Sequence, residues 1–225
     1  MRVVFFGTPR FAIPSLEALL DAGFEVPLVV TQPDRPVGRS GRPQPSPVAE
    51  LVLSRGLPIE RPERLRGNTE LFERLADARP DAIAVVAYGK ILPSEILDLP
   101  PLGCVNVHAS LLPRHRGASP IAAAILAGDR ETGVVTMKIV PELDAGPIYL
   151  ESRTPIGERE ITETLSGRLA RSGAQLLVAT LRGLEEGSIA ARPQVGDPTF
   201  TRPIRREDAR VDWNESATAI DRRLR

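Results

Sequence analysis

A single cysteine leaves no internal disulfide to form, which suits a reducing compartment. That residue, Cys104, sits in an apolar run and reads as buried filler rather than as a nucleophile. Two histidines and one cysteine, with no close ligand spacing, give no case for a metal. No stretch approaches the ~20 apolar residues of a membrane span, and the apolar opening is too short for a signal peptide. A cytoplasmic protein is the expectation. Neither sign of charge dominates. In 225 residues, 29 basic and 29 acidic side chains cancel, which excludes a surface coated in positive charge for nucleic acid. Any nucleic-acid contact must use a local patch. Aromatic residues are only 4%, so the core is expected to be aliphatic. Glycine fingerprints are missing too. The turn Gly7-Thr8-Pro9-Arg10-Phe11-Ala12 lacks the later glycines of a dinucleotide motif, and Thr31-Gln32 offers no acid to a ribose. No Walker-type loop is present, so NAD and P-loop chemistry are disfavoured.

What the chain does have is alternation of strand and helix. Val3–Phe6 reads as a buried strand, a helix follows to about Ala22, and Val26–Val30 is a second strand. Strand, helix and strand in about thirty residues imply a right-handed parallel crossover. The pattern continues with helices over Val48–Arg55 and Thr69–Ala78, and with strands over Ala82–Ala87, Cys104–His108 and Val134–Val140. Ile148–Arg153 is extended, and Thr162–Glu186 reads as a long helix interrupted near Gly173. The fold expected is α/β, a doubly wound and mostly parallel open sheet of Rossmann-like type. After about Gly187 the pattern loosens, so residues 1–187 are expected to form one α/β domain. Residues 188–225 then read as a linker with proline-bearing extended pieces and a final helix.

The stretch from Cys104 to Pro120 carries the chemistry. Side chains alternate along a strand, so Asn106 and His108 leave one face and Val105 and Val107 the other. Asn offers an amide N–H, and His a proton that moves near neutral pH. Placed where a strand gives way to a loop, the two suit a carbonyl whose oxygen must become negative. The plain alternative is an edge strand with one wet face. Ser119 and Pro120 are expected to start the next helix, with the serine as cap. Asp144 precedes Ala-Gly and reads either as a turn former or as a carboxylate within reach of His108, where it would favour imidazolium. His115, flanked by Arg114 and Arg116, reads as a surface residue.

Three segments together resemble the folate-dependent formyltransferase family. They are Val86-Ala-Tyr-Gly-Lys-Ile-Leu-Pro93, Gly103-Cys-Val-Asn-Val-His-Ala-Ser-Leu-Leu-Pro-Arg-His-Arg-Gly-Ala-Ser-Pro-Ile121 and Leu143-Asp-Ala-Gly146. Phe6-Gly-Thr-Pro9, Thr31-Gln-Pro-Asp-Arg-Pro-Val-Gly-Arg39 and Pro45-Ser-Pro-Val48 narrow the resemblance to members that act on methionyl-initiator tRNA. The resemblance implies transfer of a formyl group from 10-formyltetrahydrofolate to the methionine amine, through a tetrahedral intermediate. The family's catalytic Asn, His and Asp fall on Asn106, His108 and Asp144, with Asn106 and protonated His108 donating to the oxyanion. Folate binding, largely through main chain, is implied at Val86, Tyr88, Gly89 and Leu92, around 140–144, and at Ser110, Leu111, Leu112 and Pro113.

The loop over residues 31–48 resembles the family's loop that enters the tRNA acceptor arm, which makes Arg35, Arg39 and Arg42 the tRNA-binding candidates. Against Asp34 they give a local charge of about plus two, suited to phosphate. The alternative is a solvated loop. Where adjacent lysines are expected, this chain has Ser40-Gly41-Arg42-Pro43, and His115 replaces a large aromatic. The family's C-terminal β-barrel is absent from these residues, so the resemblance implies a formyltransferase catalytic domain over residues 1–187 and, over 188–225, a linker and the start of a truncated C-terminal region. A monomer is expected. Formyl transfer to a small amine such as an amino sugar, or hydrolysis of the formyl-folate, stands as the alternative activity.

Overall fold

The computed structural model describes residues 1–36 and 41–225. In chain order the first elements are β1 (Val3–Gly7), α1 (Ile13–Asp21), β2 (Val29–Val30), β3 (Arg35–Pro36), β4 (Pro43–Gln44), α2 (Pro47–Ser54) and β5 (Ile59–Glu60). There follow α3 (Thr69–Asp77), β6 (Ala82–Val86), α4 (Ser94–Leu97), β7 (Cys104–His108), β8 (Arg116–Gly117) and α5 (Pro120–Ala127). The last are β9 (Glu131–Lys138), β10 (Ile148–Pro155), α6 (Thr162–Glu185), β11 (Phe200–Thr201) and α7 (Ala217–Leu224).

Seven strands form one sheet in the order β10-β9-β7-β6-β1-β2-β5. The run from β7 to β5 is parallel, while β9 pairs antiparallel with both β7 and β10. Strand alternation sorts the core into two layers. Val3, Phe5, Val105 and Val107 pack in the layer that holds α1 and α6, and Val4, Phe6, Ile83 and Cys104 in the layer that holds α3 and α4. This is the doubly wound arrangement. The core is mostly aliphatic, with Phe5, Phe6 and Tyr88 among its largest fully buried side chains, and each fully buried Leu, Val or Phe contributes roughly 1.5–3 kcal/mol.

Helix α6 runs unbroken through Gly173, against the interruption expected there. The glycine serves close approach instead. A Cβ at Gly173 would lie 2.7 Å from Val107 Cγ1 and 3.2 Å from Val134 Cγ2, so α6 lies directly behind β7. At Ser119 a second expectation fails. It occupies the N-cap of α5, but its hydroxyl makes no capping bond, and its N–H donates instead to Thr201 Oγ1 at 3.1 Å. Among the described residues, no helix is long and apolar enough to cross a membrane.

Candidate active site

β7 is an interior strand between β6 and β9, not an edge strand with a wet face. With one face packed on α6, Asn106 and His108 emerge on the other, at the end where a parallel sheet leaves its ligand crevice. Loops from four places meet there: after β1, after β6, after β7, and the turn at 142–146. They enclose a cavity of about 900 Å³ whose walls include Asn106, His108 and Asp144.

His108 is only 6% exposed. Its Nε2 lies 3.0 Å from the carbonyl oxygen of His115. A carbonyl accepts only, so Nε2 carries the proton and donates. In the neutral ring Nδ1 is then the bare nitrogen, and it lies 3.7 Å from Asp144 Oδ2. The same carboxylate oxygen accepts from the Gly117 N–H at 2.7 Å. Burial pushes the His108 pKa below 6.5, while the Asp144 charge and the His115 carbonyl work upward and the nearby His115 and Arg116 work downward. Burial prevails. The net shift is downward, which favours the neutral ring in the free protein, while the Asp144 charge works upward as the sequence led us to expect. Asn106 is partly exposed to the cavity, and its side-chain amide bonds to no other described residue.

Asp144 is both things the sequence allowed. It sits in a turn with φ 46° and also faces His108. His115 has φ 60° and Ala87 φ 48°, so three of the four non-glycine residues with positive φ among the described residues lie at this site. Left-handed backbone of this kind costs roughly 1–3 kcal/mol and persists only where the surroundings enforce it.

The residues proposed for folate divide into two groups. Tyr88, Gly89 and Leu92 line the cavity, together with Ile139–Asp144, whereas Val86 is fully buried in the core. The Tyr88 ring packs edge-on against Phe6 with centroids 5.1 Å apart, and burial raises its phenol above the ordinary range. Its carbonyl accepts from Thr8 Oγ1 at 3.2 Å and from Gln32 Nε2 at 2.7 Å, which pins the loop after β6. Ser110, Leu111, Leu112 and Pro113 lie outside the cavity lining. Ser110 Oγ donates to the Arg114 carbonyl at 2.6 Å, and Leu112 packs with Val135, Met137 and Ile148. These four shape the loop that carries His115.

His115 is buried, not on the surface. Its ring Nε2 lies 2.7 Å from Asp129 Oδ2, and Arg114 pairs with the same carboxylate. The flanking arginine thus serves Asp129 rather than repelling the imidazole. Also unforeseen are Gln194, Thr199 and Thr201, from the stretch expected to be linker. Thr201–Ile204 line the cavity, so chain beyond residue 187 contributes to the site. Proline-bearing extended chain carries no periodicity, and no signal in it pointed to these residues.

The basic loop between β2 and α2 stands at the same edge of the sheet. Arg35 and Arg42 are exposed, and Arg39 lies outside the described residues. Arg35 Nη2 donates to Gln32 Oε1 at 2.9 Å, and Asp34 pairs with Arg61 at 2.8 Å. Among the described residues, no group of three or more His, Cys, Asp or Glu could hold a metal ion.

Known proteins were compared with this chain. Residues 1–181 match the family described as formyl transferase. The methionyl-tRNA formyltransferase of Synechococcus elongatus is 48% identical over 227 residues, covering 100% of this chain and 69% of the relative. The phosphoribosylglycinamide formyltransferase of Bacillus halodurans superposes with a TM-score of 0.68 at 25% identity, over 82% of this chain and 95% of that one. HypX from Aquifex aeolicus, solved with tetrahydrofolic acid, shares the fold at TM-score 0.68 and 18% identity, over 100% of this chain and 34% of HypX. With the match over residues 1–181 and near-half identity along its whole length, this chain belongs to the formyl transferase family, among the methionyl-tRNA formyltransferases.

Proposed function

We propose that this chain transfers the formyl group of 10-formyltetrahydrofolate to the amino group of methionine on initiator tRNA. One observation carries the reading: the Asn106 amide, bonded to no other described residue, and the carboxylate-backed His108 share one wall of a cavity at the carboxyl edge of the sheet. The residues present fit a folate. The cavity is large enough for a flat heterocycle and its aryl tail, and its lining is largely apolar with main chain exposed between Ala87 and Leu92. Gly89, at φ 80°, keeps that segment close to Gln32, whose Nε2 a Cβ would meet at 2.7 Å. When bound, the folate supplies an activated formyl group and leaves as tetrahydrofolate.

The geometry supports the following roles. Asn106 donates its amide N–H to the formyl oxygen as that oxygen gains charge. His108 takes, at Nδ1, the proton lost by the attacking amine and becomes imidazolium, a second donor beside the oxygen. Asp144, 3.7 Å away, balances the new positive charge, and the His115 carbonyl keeps the ring aimed throughout. The imidazolium then returns its proton to the departing folate nitrogen. Arg35, Arg39 and Arg42 contact phosphates of the acceptor arm, in a cytoplasmic, monomeric enzyme.

The test is incubation with 10-formyltetrahydrofolate and charged initiator tRNA, followed by analysis of the aminoacyl ester. Formylmethionine on the tRNA is expected. Formyl transfer only to a free sugar amine, or only to water, would overturn the reading.

A further inference from the structure

Beyond α6 the chain returns across the site. Arg192 exchanges two main-chain hydrogen bonds of 2.8 Å with Ile148 at the start of β10. Thr199 Oγ1 accepts from the His115 N–H at 2.8 Å, and β11 pairs in parallel with β8. Gln194 lies between these anchors. Its side-chain NH2 donates to the carbonyls of Asp144 and Gly146, each at 2.8 Å. Its side-chain oxygen accepts from Arg116 Nε at 3.1 Å and from Arg116 Nη2 at 2.7 Å. Both donors and both lone pairs of the amide are thereby used.

Those partners belong to the two segments that grip His108. One is the stretch from His115 to Gly117, which gives a carbonyl to His108 Nε2 and an N–H to Asp144 Oδ2. The other is the turn that holds Asp144 in left-handed backbone opposite His108 Nδ1. Gln194 closes the circuit between them from a third segment. A fully satisfied planar amide at the crossing point of two catalytic loops fixes a separation rather than merely filling space.

We propose that Gln194 is a positioning residue that holds Asp144 against His108, and that the working catalytic unit therefore extends through Ile204. The proposal rests on the functional reading above for its consequence on turnover, but its structural half stands separately. The groups facing His108 are Asp144, His115 and Arg116, and of their charges only that of Asp144 favours the imidazolium. Releasing the turn lets that carboxylate move away while the ring stays buried. The His108 titration then moves to lower pH. General loosening has the opposite sign, because water reaching the ring returns it toward its ordinary value of 6.5.

The 225-residue chain, labelled with 15N-histidine, gives only two ring patterns to follow by NMR through a pH titration, assigned with His108→Gln. Gln194→Ala removes the amide, and Gln194→Met keeps its bulk without its hydrogen bonds. For both we expect the His108 midpoint to fall by about half a pH unit or more. The kcat for formyl transfer should fall roughly tenfold or more, with KM for 10-formyltetrahydrofolate within about twofold. A midpoint that stays in place or rises in Gln194→Met would overturn the positioning role. If the parent chain formylates no charged tRNA, the functional reading fails instead, and the titration still decides what Gln194 holds.

Discussion

The wall that carries Asn106 and His108 and the basic loop between β2 and α2 stand at one edge of the sheet, yet they are built in opposite ways. The wall is an interior strand backed by a 24-residue helix, with its loops pinned by His115, Gly117 and Gln194. The basic segment includes two paired strands of two residues each, with Thr31 Oγ1 and Ser46 Oγ 2.8 Å apart at its base and with Arg35 and Arg42 exposed. Proton transfer and charge stabilisation tolerate errors of a fraction of an ångström, so their groups belong on rigid elements. Phosphate attraction acts over a Debye length and adapts to the ligand. The difference predicts which measured constant each region should move.

Changes in the wall should strike turnover, and hardest. Replacing His108 or Asn106 by Ala should lower the saturated rate by roughly 100-fold or more each, with folate affinity changed far less. Either variant running within a few-fold of the parent would remove that residue from the chemistry. Asp144→Asn should cost less, roughly tenfold or more, and it should move the pH profile. The proposed mechanism needs the base form of His108, so activity should fall as pH drops through its pKa, below 6.5. Asparagine removes the charge that raises that pKa, so the acid limb should shift to lower pH. A limb that stays put would return Asp144 to a turn former.

How much of this contrast was legible beforehand depends on which physical signal each region carries. The bounds of β7, its two faces and the pairing of Asn106 with His108 follow from period-two alternation, and the structure has them as expected. The mostly aliphatic core was legible from the low aromatic content, and the mostly parallel sheet from the succession of strand, helix and strand. Gly173 was misread because a glycine within a helix breaks it or admits a neighbour, and only the neighbour decides. His115 was misread because local charge was weighed without Asp129, fourteen residues further on. The net direction of the His108 shift was not legible, since burial outweighs the adjacent carboxylate and burial is a property of the whole fold. Gln194 makes its bonds 48 to 78 residues away in sequence, from chain with no period at all.

Changes in the loop should move tRNA dependence and little else. Replacing Arg35 and Arg42 together by Ala should raise KM for charged tRNA several-fold and flatten its salt dependence by roughly one to two in log–log slope. Folate KM should not change. An unaltered salt slope would make the loop a solvated connection. The smallest effect belongs at its hinge. Ser46 Oγ caps α2 by accepting from the Ala49 N–H at 3.1 Å, so Ser46→Ala should cost about 1 kcal/mol in thermal or urea unfolding while leaving saturated turnover alone. Ser119→Ala, where no cap bond exists, should cost clearly less, and equal losses would contradict the different cap geometries.

The most direct test of the account sets the two regions side by side in one assay. Single-turnover formyl transfer from 10-formyltetrahydrofolate to charged initiator tRNA is measured at fixed salt across a tRNA titration. The chains compared are the parent, His108→Ala and the Arg35→Ala, Arg42→Ala pair. The account predicts that His108→Ala keeps its half-saturating tRNA concentration while its plateau falls roughly 100-fold. It predicts that the arginine pair keeps its plateau while its half-saturation rises. A plateau within a few-fold of the parent for His108→Ala, or a collapsed plateau for the arginine pair, would contradict the division between chemical wall and recognition loop.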